Sequence, residues 1–162
     1  MAPLTITTLQ TNLVWENKNA NLQLLAKKIN SLQEKTEIVV LPEMFSTGFS
    51  MRPKLFAETM EGETVQWMKD ISSANKIILT GSIIIEEDNK FYNRLLWVLP
   101  NGQVAYYNKR HLFAFAGEDK EYTAGNKRLI AQVIELEKNP WKDSFSFKIE
   151  DKKLSLEQEN LK

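Results

Sequence analysis

The chain has 162 residues, 43% hydrophobic and 26% charged, which suits one packed domain and excludes a chain that is disordered throughout. Lys plus Arg and Asp plus Glu are both 21, so there is no surplus positive field to attract nucleic acid or a membrane surface. With no cysteine and one histidine, His111, disulfides and thiolate metal sites drop out, and little material is left for multi-imidazole zinc sites or a Ser-His-Asp triad.

Leu4 to Gln10 alternates β-branched residues and predicts a strand with one buried face. From Asn17 to Gln33, Leu22, Leu25, Ala26, Ile29 and Leu32 recur at helical spacing, an apolar stripe that needs a sheet to cover. Glu37 to Leu41 is a continuous apolar run expected of a strand buried on both faces, which Pro42 ends by lacking an N–H. Glu43 therefore stands just past a strand's carboxyl end. Ser46 to Gly62 reads as a loop, and Thr64 to Ala74 as a second amphipathic helix.

Ile77 to Ile85 predicts a buried strand, and Glu86 to Asn89 a polar turn into a strand over Phe91 to Val98. Asn101-Gly102 predicts a two-residue hairpin turn, with Val104 to Asn108 returning and Lys109 at its end. Crossovers followed by hairpins make an α/β layered fold, a mixed sheet with two flanking helices. The longest apolar run is strand-sized and the first eleven residues lack a basic leader region, so no membrane segment and a cytoplasmic location are expected. From about Val133 the chain turns rich in Lys, Glu and Gln and predicts a weakly ordered tail. The expected division is residues 1–130 and a divergent segment over 131–162.

Three segments could carry chemistry: Leu41 to Phe45, Asn108 to Phe113, and Gly117-Glu118 with Gly125 following. In open α/β sheets, ligands gather beyond the carboxyl ends of strands. An acid after one strand and a cation after another can there serve as general base and oxyanion stabiliser. Position alone also fits solvated charges at strand ends for Glu43 and Lys109, a hydrogen-bonded structural role for His111, and an exposed acidic loop for Glu118-Asp119-Lys120-Glu121.

The run Ile38-Val39-Val40-Leu41-Pro42-Glu43-Met44-Phe45, with Thr47-Gly48-Phe49 after it, resembles the first signature of the nitrilase, or carbon–nitrogen hydrolase, superfamily. Tyr107-Asn108-Lys109-Arg110-His111-Leu112-Phe113 is similar to the second. Thr80-Gly81-Ser82, Tyr92-Asn93-Arg94 and Pro100-Asn101-Gly102 fall between them in the family's order. The resemblance, over about Leu4 to Ile130, is to the omega-amidase branch, and it implies the N-terminal half of an α-β-β-α sandwich. It also implies that Glu43 is the catalytic base, that Lys109 belongs to a Glu-Lys-Cys triad, and that Glu118 helps to position the lysine and the substrate. Branch members hydrolyse the terminal amide of alpha-keto acid amides, a small-molecule substrate, without metal or organic cofactor.

Past Ile130 the resemblance ends, and the family's cysteine nucleophile has no counterpart in the sequence. Ser144 and Ser146, in that divergent segment, have no histidine beside them to activate a hydroxyl. The expectation is thus a truncated or frameshifted hydrolase, inactive alone, whose uncovered sheet invites self-association or pairing with a complementing second-half chain. The alternatives are a non-catalytic module binding small molecules or a partner, or a non-functional gene remnant.

Overall fold

The computed structural model describes residues 4–135 and 145–153, with side chains over 4–130. Strands β1 (Ile6–Thr8), β2 (Ile38–Val40), β3 (Ile78–Glu87), β4 (Lys90–Val98) and β5 (Val104–Asn108) form one sheet in that spatial order. The first three run parallel, and β3, β4 and β5 are antiparallel hairpin neighbours. Helix α1 (Lys18–Asn30) crosses from β1 to β2; the one-turn α2 (Pro53–Phe56) and the longer α3 (Glu63–Asn75) lie between β2 and β3. This is the mixed α/β sheet expected from the sequence.

The two long helices meet each other, and α3 packs on β3 and β4. Their apolar stripes close one core: Leu22, Leu25 and Ile29 with Val65 and Met68 cover Val39, Leu79, Ile83, Ile85, Leu96 and Val98. Side chains alternate across a strand, so the intervening residues form the opposite face. There Ile38, Ile78 and Leu99 cluster with Val40 and Trp97, without a residue from either long helix.

Three local expectations need correction. The turn between β3 and β4 is only Asp88-Asn89, because Glu86 and Glu87 stay in the ladder opposite Phe91 and Lys90. Both turn residues have positive φ, 52° and 58°, the type I′ geometry whose twist matches a hairpin. The Asn101-Gly102 pair is not the two-residue turn predicted. Leu99 and Gln103 still bond across, and Gly102 donates to the Leu99 carbonyl. Gly102 alone has positive φ, so the loop is a three-residue type I turn with a bulge, the geometry that Pro100 at its first central position favours. Finally, the segment expected to be a loop contains α2, started by Pro53 at its first turn; one turn is too short to show periodicity.

Downstream of β5 come a 3-10 turn (Ala114–Ala116) and the short α4 (Glu118–Glu121). Strand β6 (Lys127–Glu135) then pairs antiparallel with β7 (Phe145–Lys153) as a separate two-stranded sheet. The rest of the expected tail, 136–144 and 154–162, lies outside the described residues.

Candidate active site

Because β2 and β3 are parallel and two antiparallel steps separate β3 from β5, the carboxyl ends of β2 and β5 lie at the same end of the sheet. Glu43 follows the first and Lys109 the second. The chain after Leu41 turns sharply: Met44 has φ +47°, a left-handed conformation costing a non-glycine residue roughly 1–2 kcal/mol. Ser82 of β3 secures that turn, its Oγ accepting the Met44 N–H at 2.9 Å and its carbonyl the Phe45 N–H at 3.2 Å. Gly48 also donates to the Met44 carbonyl, so the strained backbone behind Glu43 is held from two sides.

Lys109 is fixed at its backbone by two strand-like bonds. Its N–H donates to the Asn93 carbonyl, and its own carbonyl accepts from Gly125, both at 2.9 Å. A Cβ at Gly125 would stand 2.2 Å from the Asn108 carbonyl oxygen, so only glycine permits this close approach. Glu118 opens α4 and is fully buried, with none of its surface exposed. It does not belong to an exposed acidic loop. The reason is its set of partners: one carboxylate accepts the Phe113 N–H at 2.6 Å, Lys109 Nζ at 2.8 Å and Asn93 Nδ2 at 3.0 Å, which replaces its lost hydration.

Glu43, Lys109 and Glu118 converge. Lys109 Nζ lies 2.9 Å from Glu43 Oε1 and 2.8 Å from Glu118 Oε2, with the Phe49 ring centroid 5.0 Å away. Glu43 and Lys109 line a cleft of about 250 Å³ together with Leu41, Ser82, Asn93, Leu95 and Tyr107, on the sheet face opposite the long helices. Burial pulls the Lys109 ammonium toward neutrality, but its bonds to Glu118 and Glu43 prevail and hold its pKa above the ordinary lysine value. Burial likewise opposes the charge on Glu118, and the donors Lys109, Phe113 and Asn93 prevail, holding its pKa below the usual carboxylate value.

His111 takes no part. It is exposed, and no hydrogen bond of its ring is found among the described residues, so the structural bonding expected of it is absent as well. Ser144 and the side chain of Ser146 lie outside the described residues. Among the described residues no cluster of three or more His, Cys, Asp or Glu is placed to hold a metal ion, and no helix is long and apolar enough to cross a membrane.

Sequence reading missed Ser82 and Asn93 as site residues. The available signal was their polarity at inward positions of otherwise apolar strands: Ser82 interrupts Ile83-Ile84-Ile85 and the run before it, and Asn93 shares a face with Leu95 and Trp97. Asparagine is depleted in strands, so its presence at a buried ladder position calls for a bonding partner.

Comparison with known proteins identifies the family. The carbon-nitrogen hydrolase family matches residues 5–139. The chain is 37% identical over 132 residues to omega-amidase YafV of Yersinia enterocolitica, covering 82% of this chain and 51% of that protein. It is 25% identical over 126 residues to the 2-oxoglutaramate amidase of Bacillus subtilis, with coverage of 76% and 49%. The crystal structure of a CN-hydrolase superfamily protein from Xanthomonas campestris, with an arsenic adduct in its active site, superposes with a TM-score of 0.76 at 33% identity, over 80% of this chain and 49% of that one. The chain thus spans about half the length of the relatives it matches, and over that span fold and sequence agree: it belongs to the carbon–nitrogen hydrolase family of the nitrilase superfamily and is omega-amidase-like.

Proposed function

We propose that Glu43, Lys109 and Glu118 are the acid–base and oxyanion-stabilising part of an amide hydrolase site whose thiol nucleophile comes from outside these 162 residues. The observation that carries this reading is the ammonium of Lys109 held between two carboxylates at 2.9 and 2.8 Å on the wall of an open cleft. A cation so placed faces the position where negative charge develops on an attacked carbonyl oxygen. Glu43, half exposed, stands where a base can reach a proton in the cleft.

With a cysteine supplied, the thiolate attacks the amide carbonyl and Glu43 takes the thiol proton. Lys109, together with a backbone N–H, stabilises the tetrahedral oxyanion. Glu43 passes its proton to the leaving nitrogen, ammonia departs and a thioester remains. Glu43 then draws a proton from water, whose oxygen attacks the thioester, and returns that proton to the departing sulfur, releasing the acid and restoring the thiol. The substrate class follows the relatives: the terminal amide of an alpha-keto acid amide such as 2-oxoglutaramate.

The absence of cysteine from the sequence favours a second reading, in which this cleft binds a small amide without turning it over. The two are separated by mixing the chain with a cysteine-bearing second half taken from the Yersinia enterocolitica relative and following ammonia from 2-oxoglutaramate. Release that requires both pieces, and that disappears with Glu43→Gln, supports the hydrolase site. Release unaffected by Glu43→Gln removes Glu43 as the base.

A further inference from the structure

One buried amide ties the Glu43 and Glu118 carboxylates together. Asn93 lies on β4 with 2% of its surface exposed, and its side-chain nitrogen donates to Glu43 Oε1 at 2.7 Å and to Glu118 Oε1 at 3.0 Å. Both acceptors are carboxylate oxygens, so the amide nitrogen, and not its oxygen, faces them. The same residue's backbone carbonyl receives the Lys109 N–H at 2.9 Å. Asn93 therefore contacts all three charged members of the site, through two different groups.

The two carboxylates are bridged twice, once by the Lys109 ammonium and once by this neutral amide. Both bridges land on the same oxygen of Glu43, Oε1. Oε2 accepts no hydrogen bond among the described residues. The neighbour Arg94 points to the other face, where it bonds Asn108 and Glu87, because adjacent strand residues alternate; the site role thus belongs to Asn93 alone within Tyr92-Asn93-Arg94.

We infer that Asn93 is a positioning residue for the reaction proposed above: it clamps Glu43 through Oε1, so that Oε2 is the oxygen that receives the thiol proton, and it holds Glu118 against Lys109. A neutral donor is required here, since an acid would place a third carboxylate beside the other two. This inference rests on the hydrolase reading for its purpose, but its geometry is testable without turnover.

The test is a pH titration by NMR of the 162-residue chain, with glutamate carboxyl carbons and asparagine side-chain nitrogens labelled. In the parent, the Asn93 amide resonances shift as Glu118 titrates. In Asn93→Leu, which keeps the branched shape and removes both donors, the Glu118 midpoint rises by about one pH unit, and Asn93→Asp raises it further. A merely structural asparagine would lower the melting temperature in these variants and leave the Glu118 midpoint where it was. Should the variants not fold, the parent alone decides: Asn93 amide resonances that ignore the Glu118 titration overturn the inference, as does an unmoved midpoint in a folded variant. Failure of the hydrolase reading shows elsewhere, as no ammonia from the two-piece mixture, with these titrations unchanged.

Discussion

Lys109 Nζ and Glu43 Oε1 meet at 2.9 Å although 66 positions separate the two residues in the chain. The sheet makes the contact: β2 and β5 point the same way, with the antiparallel β3–β4 hairpin between them. Each charge needs only to follow its strand's last residues to reach the common end.

Removing the ammonium leaves Glu118 buried with two neutral donors. Lys109→Met is expected to destabilise the chain by roughly 2–3 kcal/mol, less than breaking a fully buried pair costs, since the lysine itself is partly exposed. Urea unfolding measures this, and Glu43→Gln serves as the comparison. Glu43 is half exposed, so its substitution is expected to cost much less.

The same pair sets a pH dependence with a definite sign. Glu118 has a pKa lowered from 4.5, so its contribution is present above the ordinary carboxylate range and is lost as pH falls through its folded value. Lys109 has a pKa raised from 10.5, so its contribution is complete below that value and is lost as pH rises through its folded value. Thermal melts should show a plateau across neutral pH with losses at both ends. In Lys109→Met the alkaline loss should shrink and the acid loss begin at higher pH.

Gly81 is a close approach between β3 and the turn behind Glu43. A Cβ there would meet Leu41 Cβ and Phe45 Cδ1 at 2.8 Å each, and Phe45 is fully buried against Trp67. Gly81→Ala should therefore cost about 2–3 kcal/mol by overpacking, since its Cβ would meet two carbons inside 3.0 Å. Gly102→Ala is the control: its Cβ meets nothing within 4 Å and only the positive φ of +83° is strained, an expected loss of about 1 kcal/mol. Equal losses in paired denaturant curves would contradict the overpacking account.

Arg94 is wholly buried, lying 4.1 Å over the Tyr106 ring with Nε on Asn108 and Nη2 on Glu87 at 2.7 Å each. Arg94→Lys should fail to restore stability, because an ammonium cannot stack flat on the ring while reaching both partners. Unfolding of Arg94→Lys and Arg94→Met is expected to show both variants down by at least about 2 kcal/mol.

Much of this molecule was legible in its sequence, for reasons that differ by element. The stripe of Leu22, Leu25 and Ile29 and the apolar runs of β2 and β3 announced themselves by period, because burial of one face forces the spacing. Hairpin details did not: Glu86 and Glu87 look like turn residues, yet backbone pairing continues through them, and Pro100 changed which turn the Asn-Gly sequence could make. Glu43 and Lys109 could be placed at strand ends, and the topology then brought them together. Glu118 could not be read as buried from Glu118-Asp119-Lys120-Glu121, since the donors that compensate its charge come from Lys109, Phe113 and Asn93. Asn93 stayed hidden for the same reason: a polar residue's role is set by partners distant in the chain.

The most direct test of the central claim is calorimetric titration of the 162-residue chain with 2-oxoglutaramate, with ammonia measured in the same cell. The site described here predicts saturable binding that Lys109→Met abolishes, and ammonia at no more than the uncatalysed rate while no thiol is supplied. Ammonia released well above that rate by the chain alone would contradict it, because the nucleophile would then lie within these residues.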